Sequence, residues 1–182
     1  MHFEAVSEAI APLIDDELID EILYPVKSGK EATQWTNHEF EALRVLARAG
    51  SNVPRPLGRS AGALAMEWIG DADGPAPQLK EVRLSFLEAE PLFRQLIGEV
   101  ELWLACNVVH GDLSAYNILF DGQRLVTIDF PQACDPRMNG NAPMLLARDL
   151  DNVCRHLARF GIEADGAAIA DDLWQRFERG TL

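Results

Sequence analysis

Lysine and cysteine are both scarce in this chain. Its 182 residues hold only three lysines and carry a formal net charge of −13. Binding along a phosphate backbone needs clustered Lys or Arg, so this balance excludes an extended nucleic-acid-binding face, and no direct nucleic-acid binding is expected. The acid excess reads as a solvated, solubilising surface, with a patch for a basic protein partner as the alternative. Cys106, Cys134 and Cys154 are odd in number, far apart and without paired-ligand spacing. That excludes a disulfide framework and a structural zinc site, and the thiols read as reduced and partly buried. No apolar run is long enough to span a bilayer. Met1 to Leu23 contains no Lys or Arg and seven acidic residues, unlike an export or transit signal, so the expected compartment is the cytoplasm, away from membranes. Internal repeats and low-complexity tracts are missing too. What remains is an ordinary globular composition, 48% hydrophobic, long enough for one domain or two small lobes.

The pattern along the chain predicts an α+β fold. Phe3 to Leu23 is periodic enough for one or two helices broken near Pro12, and Glu21 to Ser28 suggests a strand entering the Gly29 loop. A helix follows near Thr36, where Thr36-x-x-Glu39 has the form of a capping box; Phe40, Leu43, Leu46 and Ala47 form its apolar face and Gly50 stops it. Pro54 and Pro56 predict a loop, Leu64 to Ile69 a strand, and Gly70 to Pro77 a linker. Pro91 suits a helix first turn, with Phe93, Leu96, Ile97, Val100 and Leu104 on one face. Helical stretches over Ala142 to Phe160 and Ala167 to Arg179 close the chain.

The chemistry concentrates between Val109 and Gln132. Asp112 and Asn117 are five positions apart, the spacing by which a loop carboxylate takes a proton from a hydroxyl while an amide at the next strand reaches a divalent cation. Asn117-Ile-Leu-Phe and Arg124-Leu-Val-Thr-Ile-Asp129 are strand-like, and Asp121-Gly122 between them signals a hairpin. Folding there brings Asn117 and Asp129 nearly opposite each other. An amide and a carboxylate so placed suit Mg²⁺, a hard cation that takes oxygen ligands and shares its shell with phosphates. Taken singly, each of the three is an ordinary turn or strand-end residue; together they read as a phosphoryl-transfer site. His110, beside Val108 and Val109, reads as a packed, hydrogen-bonded core histidine rather than a catalyst.

His110-Gly-Asp-Leu-Ser-x-Tyr-Asn-Ile-Leu119 together with Ile128-Asp-Phe-Pro-Gln132 resembles the RIO family of atypical protein kinases. Ordinary protein kinases would show Asp-Phe-Gly and a later Ala-Pro-Glu, and neither occurs. Ser28-Gly29-Lys30-Glu31-Ala32 resembles the family's phosphate loop, Met66-Glu67-Trp68-Ile69-Gly70 its hinge, Ala76-Pro-Gln-Leu-Lys80 the segment after it, and Arg148-Asp-Leu-Asp-Asn-Val153 its late helix. The resemblance implies a kinase-like, two-lobed fold. Residues 1–70 would form a reduced N-lobe with an N-terminal helical segment, and 71–182 a mostly helical C-lobe with the catalytic loop and a metal-binding β-hairpin. It implies ATP and Mg²⁺ as cofactors: Asp112 orienting the hydroxyl or water, Asn117 and Asp129 holding the metal, Ser28, Gly29 and Lys30 facing the phosphates, Met66, Glu67 and Ile69 bordering adenine. Glu39 falls where the family's helix glutamate pairs with a strand lysine that holds the α- and β-phosphates.

That lysine has no counterpart here. Only Glu31 to Trp35 separate Lys30 from the helix expected near Thr36, whereas two strands and a turn need about 15 residues. Lys27 and Lys30 are then the only lysines expected near the nucleotide. The implied function is an ATP-dependent, non-specific Ser/Thr protein kinase or ATPase, weakly active, acting on an unknown protein substrate, itself or water. A non-catalytic nucleotide-binding pseudokinase module is the second reading, favoured by the short N-lobe. A small-molecule phosphotransferase of aminoglycoside-kinase type is the third, disfavoured by Ser114, Tyr116 and Pro131-Gln132.

Overall fold

The computed structural model describes residues 10–13, 32–60 and 62–182. Residues 10–13, around Pro12, are helical. The rest of the helical segment expected over Phe3 to Leu23 lies outside the described residues, as do the strand and glycine loop expected from Glu21 to Lys30.

Helix α1 runs from Ala32 to Arg48. Thr36 is therefore inside the helix, and the capping box expected of Thr36 and Glu39 does not form: no Gly or Pro between Ala32 and Thr36 prevents the helix from starting earlier. Leu43 and Leu46 are fully buried, and Gly50 ends the segment at φ +85°. Strand β1 is Pro56–Arg59 and pairs antiparallel with β2, Leu64–Met66. Pro56 thus opens a strand instead of lying in a loop, which the first position of an edge strand allows because no N–H is needed there. The strand expected as far as Ile69 stops at Met66, opposite Pro56, close to where Pro54 has no N–H to extend the ladder. Gly70 to Pro77 is irregular as expected, folded on an Asp71 side chain that accepts from Asp73 and Gly74 N–H.

Helix α2 spans Phe86–Ala105. Ser85 is its N-cap, in a reciprocal capping box with Glu88, so Pro91 lies in the second turn and not the first. Pro91 has no N–H for the Leu87 carbonyl, and Leu87 lies on the solvent side of the helix, 82% exposed. Strands β3, Ile118–Phe120, and β4, Leu125–Thr127, form the anticipated hairpin, with Ile118 opposite Thr127 and the turn closed by Asp121 N–H on the Arg124 carbonyl. Helix α3, Ala142–Leu157, continues into a 3-10 turn ending at Phe160, and α4, Gly166–Arg179, packs back on it. A single apolar core joins Leu43 and Leu46 of α1, Leu96 and Trp103 of α2, Phe130, Leu150 of α3 and Leu173 of α4.

The turn after α1 is pinned to α2 by a buried polar cluster. Glu99 accepts from Ser51 Oγ at 2.5 Å, Asn52 N–H at 3.0 Å and Asn52 Nδ2 at 2.7 Å, while Trp103 Nε1 donates to Ser51 Oγ at 2.7 Å. This anchorage fixes where α1 meets the hairpin. No described helix is long and apolar enough to cross a membrane.

Candidate active site

The loop from His110 to Asn117 is held from two sides. Gly111 stands at φ +80° with its α-carbon so close to the next segment that a Cβ would lie 2.7 Å from the Gln132 carbonyl oxygen, so glycine is required on both counts. From α3, the buried Asp149 carboxylate accepts Gly111 N–H at 2.7 Å and Leu113 N–H at 3.0 Å. Arg148 donates to the Gly111 carbonyl and Asn152 Nδ2 to the Leu113 carbonyl. Burial pushes the Asp149 carboxyl up to about 6, against the pull of its two N–H donors and Arg148. The family-like stretch Arg148 to Val153 of α3 thus carries a buried acid whose role its spacing does not announce. An acid three and four residues from buried Leu146 and Val153, on the apolar side of a helix, was the available signal.

His110 is the core histidine expected. It is 2% exposed, with its ring 4.4 Å from that of Phe130 and 6.0 Å from that of Trp103. Its Nδ1 accepts Asp112 N–H, so the neutral ring carries its proton on Nε2, facing the Ile128 carbonyl. Burial lowers its pKa to about 4. Asp112 itself is exposed, with Gln132 Nε2 3.4 Å from its Oδ2.

Asn117 is buried and fully oriented: Nδ2 donates to the Asp112 carbonyl at 2.7 Å, and Oδ1 accepts Ser114 N–H at 2.8 Å. Across the hairpin, Ile128 N–H donates to the Asn117 carbonyl, which brings Asp129 alongside. Asp129 has φ +70°, a left-handed backbone uncommon outside glycine and not foreseeable from the hairpin pattern. Burial, then the charge of Asp112, raises its pKa. Phe130 is fully buried, edge-on to Trp103 at 5.5 Å. Glu39 of α1 accepts Phe130 N–H at 3.2 Å; burial raises its pKa, the N–H bond opposes the rise and Asp129 adds to it.

Glu39, Met66, Glu67, Ile69, Asn117 and Asp129, six of the residues singled out in the sequence, line one cleft of about 470 Å³. Pro54, Trp68, Pro75, Gln78, Tyr116, Leu119 and Ile128 complete its wall. Its apolar members come from both sides of the chain's midpoint, so sequence spacing alone could not group them. Asp112 is not part of that lining, and Ser28, Gly29 and Lys30 lie outside the described residues. The expectation that only Lys27 and Lys30 approach the site needs correction: Lys80 N–H bonds the Ala115 carbonyl, and Lys80 Nζ sits 4.3 Å over the ring of Tyr116 in the cleft wall. The turn at Leu79–Glu81 places it there, across 35 residues of sequence from Ala115.

A family model described as "RIO domain" matches residues 22–169. The chain belongs to the RIO family. It is 37% identical over 131 residues to the RIO-type serine/threonine-protein kinase Rio1 of Thermoplasma acidophilum, a match covering 72% of this chain and 67% of that one. It is 34% identical over 142 residues to Rio1 of Haloferax volcanii, covering 78% and 48%. Against the human serine/threonine-protein kinase RIO3 the figures are 32% over 130 residues, 71% of this chain and 25% of the relative. The chain thus spans about two thirds of the first of these proteins and half or less of the others. The Rio2 kinase from Chaetomium thermophilum superposes with a TM-score of 0.63 at 20% identity, over 82% of this chain and 54% of that one, which shows the kinase-like fold. The RIO match favours the protein-kinase reading over the aminoglycoside-kinase alternative.

In this RIO chain the oxygen donors suit a cation that is shared with phosphate. Among the described residues no group of three His, Cys, Asp or Glu side chains can hold a metal by itself. Asp129 offers a carboxylate, and Asn117 Oδ1, which accepts Ser114 N–H at 2.8 Å and the Ser114 hydroxyl at a long 3.5 Å, can give its second lone pair to a cation once that hydroxyl rotates away. A hard cation that retains waters and phosphate oxygens fits one carboxylate and one amide.

Proposed function

We propose that this RIO chain is a Mg²⁺-ATP-dependent serine/threonine kinase or ATPase of low turnover, transferring the γ-phosphoryl group to a protein hydroxyl, to itself or to water. The observation that carries this is the shared cleft: Glu39, Asn117 and Asp129 line it together with Met66 at the end of β2 and Glu67 and Ile69 just after it. Met66, Leu119 and Ile128 supply apolar contacts for a purine, and Asn117 and Asp129 supply oxygens for the metal. When bound, Mg²⁺ neutralises charge on the phosphate oxygens. Asp112, exposed and bonded through its own carbonyl to Asn117, accepts the proton of the attacking hydroxyl or water. Its backbone is held by His110 and, through both neighbours, by Asp149, so the base is positioned before substrate arrives.

Low turnover follows from the interval before α1. The helix starts at Ala32, leaving Glu31 alone between it and Lys30. Two strands bearing a phosphate-holding lysine need about 15 residues. Losing one cationic donor costs roughly 10²–10³ in rate for a reaction that depends on charge stabilisation. The same interval supports the second reading, a module that binds nucleotide without turnover. Calorimetric titration of ATP with and without Mg²⁺, followed by single-turnover hydrolysis in the wild type and Asp112→Ala, separates the two. Metal-dependent binding with turnover above the variant supports the kinase or ATPase. Tight binding with no turnover above Asp112→Ala selects the binding module, and brisk phosphorylation of a generic peptide contradicts the low-turnover assignment.

A further inference from the structure

Helix α1 meets the segment after Asp129 at two points, through consecutive side chains. Glu39 Oε1 accepts Phe130 N–H at 3.2 Å, and His38 Nε2 donates to the Ala133 carbonyl. Ala133 N–H in turn bonds the Phe130 carbonyl at 3.1 Å, so α1 grips both ends of one closed turn. The peptide linking Asp129 to Phe130 sits at the first of these grips. Its orientation decides where the Asp129 carboxylate points, and Asp129 holds a backbone of φ +70°. Such a conformation persists only where the surroundings over-determine it. The buried Phe130 ring, against Trp103 and His110, fixes the side chain, but the N–H bond is what fixes the peptide plane.

In kinases the glutamate at this place pairs with a strand lysine. Here only Glu31 separates Lys30 from α1, and among the described residues no Lys or Arg forms an ion pair with Glu39. The helix that carries Glu39 is itself anchored, by Leu43 and Leu46 in the core and by the Ser51, Asn52 and Glu99 cluster beyond its end. We propose that Glu39 is the positioning residue of Asp129, acting as the acceptor that orients the Asp129–Phe130 peptide rather than as the partner of a phosphate-holding cation. This rests on the metal role of Asp129 given under Proposed function.

The discriminating substitution is Glu39→Gln, which keeps an oxygen for Phe130 N–H and removes the charge; Glu39→Ala removes both. Affinity for Mn²⁺, alone and with ADP, is read by electron paramagnetic resonance. Loss of a hydrogen bond that holds a ligand predicts a fall of about tenfold or more in Glu39→Ala, and Glu39→Gln staying within about threefold of wild type. A fall in Glu39→Gln as large as in Glu39→Ala means that the charge is what counts, and overturns the proposal. Hydrogen exchange at the Phe130 amide gives a readout independent of metal: protection is lost in Glu39→Ala and retained in Glu39→Gln. Equal protection in Glu39→Ala and wild type also overturns it. If no variant, nor the wild type, binds Mn²⁺ while the exchange pattern holds, the positioning of Asp129 stands and the metal reading of the site falls.

Discussion

Neutral His110 and ionisable Asp149 both bond the backbone of the loop that carries Asp112, and their protonation acts on stability in opposite directions. His110 titrates near 6.5 when unfolded and near 4 in the fold, so its contribution is complete above pH 6.5 and is lost as pH falls through 4. Asp149 is raised from 3.8 to about 6, so its contribution is complete below pH 4 and is lost as pH rises through 6. Each amounts to about 3 kcal/mol, and in the wild type they largely offset each other. Denaturant unfolding between pH 4 and 7 is therefore expected to show His110→Gln gaining stability relative to wild type on acidification, and Asp149→Asn losing it. Parallel slopes in the two variants would contradict this. At the proposed metal site, Asp129→Asn is expected to weaken Mg²⁺-dependent ATP binding far more than Asp112→Asn, because the proposed function has Asp129 giving the metal its charge and Asp112 serving the nucleophile and governing turnover. Equal losses by calorimetry would sink that division.

At the scale of elements, the periodicity of α1, α2, α3 and α4 was legible because each must bury one stripe, and the β3–β4 hairpin because Asp121-Gly122 sits between two strand-like segments. Helix starts were read less well. Thr36-x-x-Glu39 and Ser85-x-x-Glu88 are the same pattern, yet only the second caps a helix, since capping needs a non-helical residue at the first position and Thr36 already lies in α1. Ser85→Ala is accordingly expected to cost about 1 kcal/mol in denaturant unfolding, whereas a helix-start role for Thr36 is not. Glu99→Ala, which strands the Ser51 hydroxyl and two Asn52 donors at the junction of α1 and α2, is expected to cost about 3 kcal/mol. A loss below about 1 kcal/mol would show that water replaces the carboxylate there.

For the molecule as a whole, binding to the folded state alone must raise its stability. At a hundredfold excess over Kd, Mg²⁺-ATP is expected to add about 2.7 kcal/mol, read as a rise in thermal midpoint that ATP without metal does not reproduce. Lys30→Ala tests the phosphate loop in the same assay, with a smaller rise expected if Lys30 and the Gly29 backbone face the phosphates. An undiminished rise would leave the phosphates to the metal and to other donors, Lys80 beside Tyr116 among them.

Linear order by itself determined the family, the candidate residues Asp112, Asn117 and Asp129, and the shortness of the stretch before α1, because those three lie within one loop and hairpin whose geometry is local. Tertiary structure alone decided what those residues rest on. Asp149 reaches the loop from α3, Glu39 reaches Phe130 across 91 residues, and Lys80 comes to Tyr116 by way of a single 3-10 turn. None of these contacts has a period or a spacing. The two carboxylate contacts arise because burying several apolar faces in one core leaves backbone donors of the site facing inward, where side chains from distant elements satisfy them.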